Sequence, residues 1–154
     1  MIQQGKITNN SLNKTIVCNK KIVDLSSPLV MGIANLTDDS FYDGGCYNDF
    51  ERAKARIDEL VQQKADIIDI GACSTRPGAK LVSAKEEIER LVPVVRYTKK
   101  TYPDSIVSID TVWSEVSRAC VGEGADIIND ISGGSFDSNL FETIAKLDVP
   151  YILM

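Results

Sequence analysis

The sequence contains no histidine. That absence excludes a Ser-His-Asp triad, a histidine general base and a histidine metal site within the chain. Cysteine is sparse. Cys18, Cys46, Cys73 and Cys120 include no pair at C-x-x-C spacing, so neither a redox motif nor a zinc knuckle is indicated, and the thiols are expected to be reduced. No apolar run approaches the roughly 18 residues of a membrane span. The N-terminus, with Lys6, Asn9, Asn10, Ser11 and Asn13, lacks the apolar segment of a signal peptide, so the expected compartment is the cytoplasm. Basic surplus is missing too. A net charge of -5 argues against a surface that tracks nucleic-acid phosphates, although a small phosphorylated ligand needs only a few placed donors.

What is present is one pattern used four times. A short apolar run ends in a carboxylate or carboxamide, and a helix-like segment follows. The runs are Leu29 to Ala34 ending at Asn35, Ile67-Ile68 ending at Asp69, Ile106 to Ile109 ending at Asp110, and Ile127-Ile128 ending at Asn129 and Asp130. Strand, polar tip, loop and helix in that order describe a parallel sheet whose site lies at the carboxyl ends of the strands. A fifth run begins at Tyr151.

Before these units, residues 15–18 and 21–25 read as a small hairpin, placed to plug one end of the sheet. Helices are expected over about 49–63, from Ser83 onward, over 112–123 and over 138–147. Ser83 with Glu86 three residues on is a capping-box signature. Strands are expected at 29–34, 65–70, 105–110 and 125–129. The stretches Ala65-Asp66-Ile67-Ile68-Asp69 and Ala125-Asp126-Ile127-Ile128-Asn129 echo each other two units apart, as buried parallel strands would. Glu86, Glu87 and Glu89 read as a solvated helix face, Trp113 as packing and Asp130 as either a loop brace or a site residue.

Two loops carry chemistry. Residues 35–45, Asn-Leu-Thr-Asp-Asp-Ser-Phe-Tyr-Asp-Gly-Gly, exceed the usual βα connection in length, which suits an active-site lid. Residues 69–78, Asp-Ile-Gly-Ala-Cys-Ser-Thr-Arg-Pro-Gly, combine hydroxyls, a guanidinium and glycines, which suits an anion. Neither is a Walker phosphate loop.

These two blocks, with Ser108-Ile109-Asp110-Thr111 and Ile128-Asn129-Asp130, resemble the four motifs of the dihydropteroate synthases, in order, over about residues 28–154. Asp38 stands where the family pattern has proline, and Ala72-Cys73 where it has Gly-Glu. The resemblance implies an α/β fold, the N-terminal and central part of a (β/α)8 barrel, with a hairpin and about four and a half βα units. It implies a single pterin-binding domain over 1–154, incomplete as a barrel. The implied activity is transfer in folate biosynthesis. p-Aminobenzoate is joined to 7,8-dihydropterin-6-ylmethyl diphosphate, giving 7,8-dihydropteroate and diphosphate.

By resemblance, Asp110 and Asn129 read the pterin, and Asp43 and Arg76 serve catalysis. Phe41, Thr75 and Pro77 form the p-aminobenzoate slot. Asn35, Ser74, Thr75 and Arg76 face the diphosphate, with Mg²⁺ at Asn35. The family also uses a further Asp, a Lys, an Arg and a His from a later part of the barrel that has no counterpart here. The 154-residue chain is therefore expected to be truncated, poorly active alone, and inclined to form a homodimer or another self-associated state. Two alternatives are a pterin-binding methyltransferase domain and a non-catalytic, self-associating half barrel.

Overall fold

The structure, a computed structural model, describes residues 14–19, 21–36, 46–72 and 82–154. It opens with the expected hairpin, β1 (Thr15–Cys18) and β2 (Lys21–Asp24), paired antiparallel about Asn19, whose φ is positive. Strands and helices then alternate: β3 (Met31–Asn35), α1 (Cys46–Gln62), β4 (Ile67–Gly71), α2 (Ala84–Thr101), β5 (Ile106–Asp110), α3 (Ser114–Gly122), β6 (Ile127–Asp130), α4 (Leu140–Leu147) and β7 (Tyr151–Leu153). All neighbouring strands from β3 to β7 are parallel, and their order in the sheet is their order in the chain. The helices pack consecutively, α1 on α2, α2 on α3 and α3 on α4. Sequential strands with a sequential outer row of helices form the wall of an α/β barrel rather than a doubly wound sheet.

Alternation along each strand sorts the side chains. Ala34, Ile68, Ile70, Val107, Ile109 and Ile128 face the helices. There they join Ala53, Ile57 and Leu60 of α1 and Leu91, Val94 and Val95 of α2 in one core. The i, i+4, i+7 spacing on α1 and the i, i+3, i+4 spacing on α2 put each set on a single stripe. Met31, Ile67, Ile106, Ile127 and Ile152 face inward, packed against Cys18, Ile16 and Val23 of the hairpin. The hairpin thus closes the amino-terminal end of the sheet, as expected.

Several boundaries differ from the sequence reading for identifiable reasons. β4 and β6 begin two residues late because Asp66 and Asp126 do a different job. Each accepts a hydrogen bond from a backbone N–H of the neighbouring strand segment, Val30 (2.7 Å) and Val107 (2.8 Å). Each also returns its own N–H to that residue's carbonyl. The sequence echo therefore encodes a repeated side-chain staple as well as a buried strand. α3 begins at Ser114 rather than at 112. Asp137, from the next loop, accepts from the Ser114 N–H at 2.8 Å and supplies the cap that Trp113 cannot. α4 begins at Leu140, and α1 begins earlier than expected, at Cys46.

α2 starts where expected, with Ser83 and Glu86 forming both bonds of a capping box. It then runs through Pro93. Proline removes one helical hydrogen bond, but Pro93 and Glu89, whose carbonyl loses its donor, both lie on the exposed side, where water can serve instead. One expectation fails on this helix. Glu86 and Glu89 are exposed, but Glu87 is fully buried and cannot belong to a solvated face. It lies on the stripe with Leu91, Val94 and Thr98.

Candidate active site

The strand registers arrange the inward side chains in layers. Ile33, Asp69, Ser108 and Ile127 form a middle layer. Asn35, Gly71, Asp110, Asn129 and Ile152 form the layer above it, at the carboxyl ends. Asn35, Asp110 and Asn129 thus share one level. Asp69 does not stand at the tip, because β4 continues through Ile70 to Gly71 and leaves Asp69 one pleat deeper.

From that depth Asp69 performs a task the sequence did not reveal. Its Oδ2 accepts from Asn129 Nδ2 at 3.2 Å. A carboxylate can only accept, so it fixes the amide with nitrogen down and oxygen free. Asn129 Oδ1 is buried and has no hydrogen-bond partner among the described residues, and the same holds for Asp69 Oδ1 and Ser108 Oγ. Buried acceptors without donors are costly. Here they gather around one inward-facing volume, and they call for a ligand rich in N–H groups.

Asp110 adds the charged acceptor. Burial first, then the Asp69 and Asp130 carboxylates, push its carboxyl up to about 6. At neutral pH it is mainly ionised, yet poorly solvated. Gly71 makes room beside it. A Cβ at Gly71 would sit 3.2 Å from Asp110 Cβ and Oδ2, and 3.6 Å from Asn35 Oδ1. A side chain at this position would crowd the Asp110 carboxylate and force it to shift by a few tenths of an ångström.

Asp130 alternates to the other face and braces the following turn. It accepts from the N–H groups of Ser132 (2.6 Å) and Gly134 (2.7 Å) and from the Tyr151 hydroxyl (2.6 Å). Burial tends to raise its carboxyl, but these bonds outweigh burial and hold it below the usual range. Gly134 sits at φ +78, and a Cβ there would collide with the Phe141 ring, so glycine is required at that turn. Of the two readings of Asp130, loop brace is the one the geometry supports. Trp113 packs against the core and donates from Nε1 to the Val82 carbonyl at 3.1 Å, in keeping with a packing role. Cys18 and Cys120 are buried free thiols. Burial pushes Cys120 up to about 12, with the Glu87 and Glu123 carboxylates adding to it, so it is inert.

Phe41, Asp43, Ser74, Thr75, Arg76 and Pro77 lie outside the described residues. Among the described residues no group of three or more His, Cys, Asp or Glu is placed to hold a metal ion. Asn35 offers one hard oxygen at the exposed rim. That suits Mg²⁺, which keeps most of its ligands as water and substrate phosphate oxygens.

The family model for pterin binding enzymes matches residues 31–154. The chain belongs to the pterin-binding enzyme family. Its similarity within the family is to dihydropteroate synthases. It is 44% identical over 134 residues to the dihydropteroate synthase of Streptococcus pyogenes, covering 87% of this chain and 50% of that one. The fold matches Xanthomonas albilineans dihydropteroate synthase with 4-aminobenzoic acid at a TM-score of 0.84 and 40% identity, over 92% of this chain and 52% of that one. The same enzyme in complex with 7,8-dihydropteroate matches at 0.77 and 36%, over 91% and 50%. The partial (β/α)8 barrel expected from the sequence is therefore the fold of this family. The chain spans about half the length of these relatives. No helix among the described residues is long and apolar enough to cross a membrane.

Proposed function

We propose that the chain carries the pterin-reading strand ends of a dihydropteroate synthase. This enzyme forms a bond from the aniline nitrogen of p-aminobenzoate to the methylene carbon of 7,8-dihydropterin-6-ylmethyl diphosphate. The carbon–oxygen bond to diphosphate breaks with its electron pair, and the nitrogen gives up a proton. The observation that carries the reading is the pair of acceptors at one level, the Asp110 carboxylate and the Asn129 Oδ1 that Asp69 turns free. The guanidine-like edge of a pterin presents N–H donors to both. Binding would then offset the cost of two poorly solvated groups and fix the methylene at the carboxyl end of the sheet.

The roles beyond these two follow from the family motifs. Asp43 faces the cationic methylene as diphosphate departs. Arg76 holds the anion in two prongs, with Ser74 and Asn35 beside it. Phe41, Thr75 and Pro77 form the slot for p-aminobenzoate. Asn35 would hold Mg²⁺, which supplies neutralisation of the leaving group's charge. The aniline is unprotonated near neutral pH, so the attack itself needs no strong base, and the lack of histidine is no obstacle to that step. Residues 1–154 belong to a single pterin-binding domain that acts on small molecules in the cytoplasm.

The test is a titration of pterin into the chain and into Asp110→Ala and Asn129→Ala. Each variant should lose about 1–3 kcal/mol of binding, because buried N–H donors of the ligand go unpaired. Unchanged affinity in both would end this assignment. Arg76→Lys should impair pteroate formation more than pterin binding, since an ammonium cannot grip an anion in two prongs.

A further inference from the structure

Glu87 is the one fully buried acidic side chain on α2, and the functions above do not use it. Its Oε2 accepts from the Thr111 hydroxyl at 2.7 Å. Thr111 is the residue after Asp110, and it is tied on every side. Its Oγ1 accepts from the Trp113 N–H at 3.2 Å, and its own N–H donates to the Asn129 carbonyl at 3.0 Å. Trp113 in turn donates to Val82, the residue before the N-cap of α2. A chain of bonds therefore runs from α2 through Glu87, Thr111 and Trp113 to the segment that leads into α2, and Thr111 adjoins Asp110 in the chain and bonds the Asn129 backbone.

We propose that Glu87 is a positioning residue for pterin recognition, acting through Thr111 to fix the levels of Asp110 and Asn129. A buried carboxylate is an expensive way to satisfy one hydroxyl, and a well-packed apolar side chain would be cheaper for stability. What the carboxylate adds is a directional acceptor that holds Thr111 in one rotamer. The hydroxyl then points its lone pairs at the Trp113 N–H, and the turn after β5 has one geometry. Burial pushes the Glu87 carboxyl up to about 7, opposed by the Thr111 hydroxyl and the Arg90 guanidinium, with Asp110 adding to the rise. Charged or neutral, one oxygen remains an acceptor for Thr111, so the anchoring does not require ionisation.

This inference rests on the pterin reading, and the experiment separates the two. Unsubstituted pterin is titrated into the chain and into Glu87→Gln and Glu87→Met, and the emission of Trp113, the sole tryptophan, is recorded. Gln keeps an acceptor for Thr111, while Met fills similar volume and offers none. Glu87→Met should bind pterin at least about 10-fold more weakly and shift the Trp113 emission. Glu87→Gln should bind within about 3-fold of the wild type and leave the emission in place. Should Glu87→Met fail to fold, Glu87→Met/Thr111→Val removes both partners together, a change proteins tolerate better. That double variant should show the same loss. Pterin binding by the wild type with equal affinity in Glu87→Met, or in the double variant, would overturn this inference alone. So would equal losses in Gln and Met. No binding by the wild type would overturn the functional reading and this inference with it.

Discussion

Asp110→Asn should make the ligand-free chain more stable while making it a poor pterin binder. The carboxyl of Asp110 rises from an ordinary 3.8 to about 6, because burial and two neighbouring carboxylates disfavour its charge. At about 1.4 kcal/mol per pH unit, that rise corresponds to a cost of about 3 kcal/mol for holding the ionised form in the folded chain. The sign follows from proton uptake. The folded state binds this proton more tightly than the unfolded state does, so the cost is full above about pH 6. It falls as pH drops through 6 and is gone near 4, where both states are protonated.

Asparagine removes the charge but keeps a polar group that lacks its ligand, which returns about 1–2 kcal/mol of the gain. The net expectation at pH 8 is a stabilisation of about 1–2 kcal/mol, or roughly 2–8 °C in Tm for a chain of this size. At pH 4.5 only about 1 kcal/mol of the cost remains, so the variant should be level with wild type or up to about 1 kcal/mol less stable. Thermal melts at both pH values, with pterin titrations beside them, test this. A variant less stable than wild type at pH 8, or a gain that grows as pH falls, would refute the reasoning.

Gly71→Ala should weaken pterin binding about 10-fold in the same titration, at a stability cost of about 1–3 kcal/mol. Its Cβ would arrive 3.2 Å from the Asp110 carboxylate, and unchanged affinity would show that this approach is unimportant. Asp126→Ala should cost more than Asp66→Ala in urea unfolding. Lys99 beside Asp126 is only 14% exposed and would lose its ion pair, a loss of about 3–5 kcal/mol in buried settings. Asp66 serves an exposed N–H, worth about 0.5–1.5 kcal/mol. The edges of the described sheet are β3 and β7, where Ile33 and Leu153 are more than half exposed. The chain is therefore expected to self-associate as its concentration rises in sedimentation.

Much of this was legible in the sequence because strand, tip and helix repeat with fixed grammar. The polar ends at Asn35, Asp110 and Asn129 could be placed at one level from the apolar runs alone. Asp69 could not, since its depth depends on β4 continuing through Gly71, and a glycine gives no signal of strand or loop. Asp66 and Asp126 sit inside strand-like runs whose isoleucines dominate the local pattern. Their work is in a neighbouring strand, beyond what local pattern shows. Glu87 was different. Its phase with Leu91, Val94 and Thr98 was available, but adjacent Glu86 and nearby Glu89 made the whole stretch read as a charged face. Phe41, Asp43 and the block from Ser74 to Pro77 were legible only as family motifs and lie outside the described residues.

The central claim is that Asp110 and Asn129 together read a pterin. A crystal structure of the chain grown with pterin at pH 7.5 tests it most directly. The account predicts the N–H edge of the ring on the Asp110 carboxylate and Asn129 Oδ1, with the Asn129 amide still donating to Asp69. Pterin bound away from these strand ends, or an Asn129 amide turned over so that its nitrogen faces the ring, would contradict it.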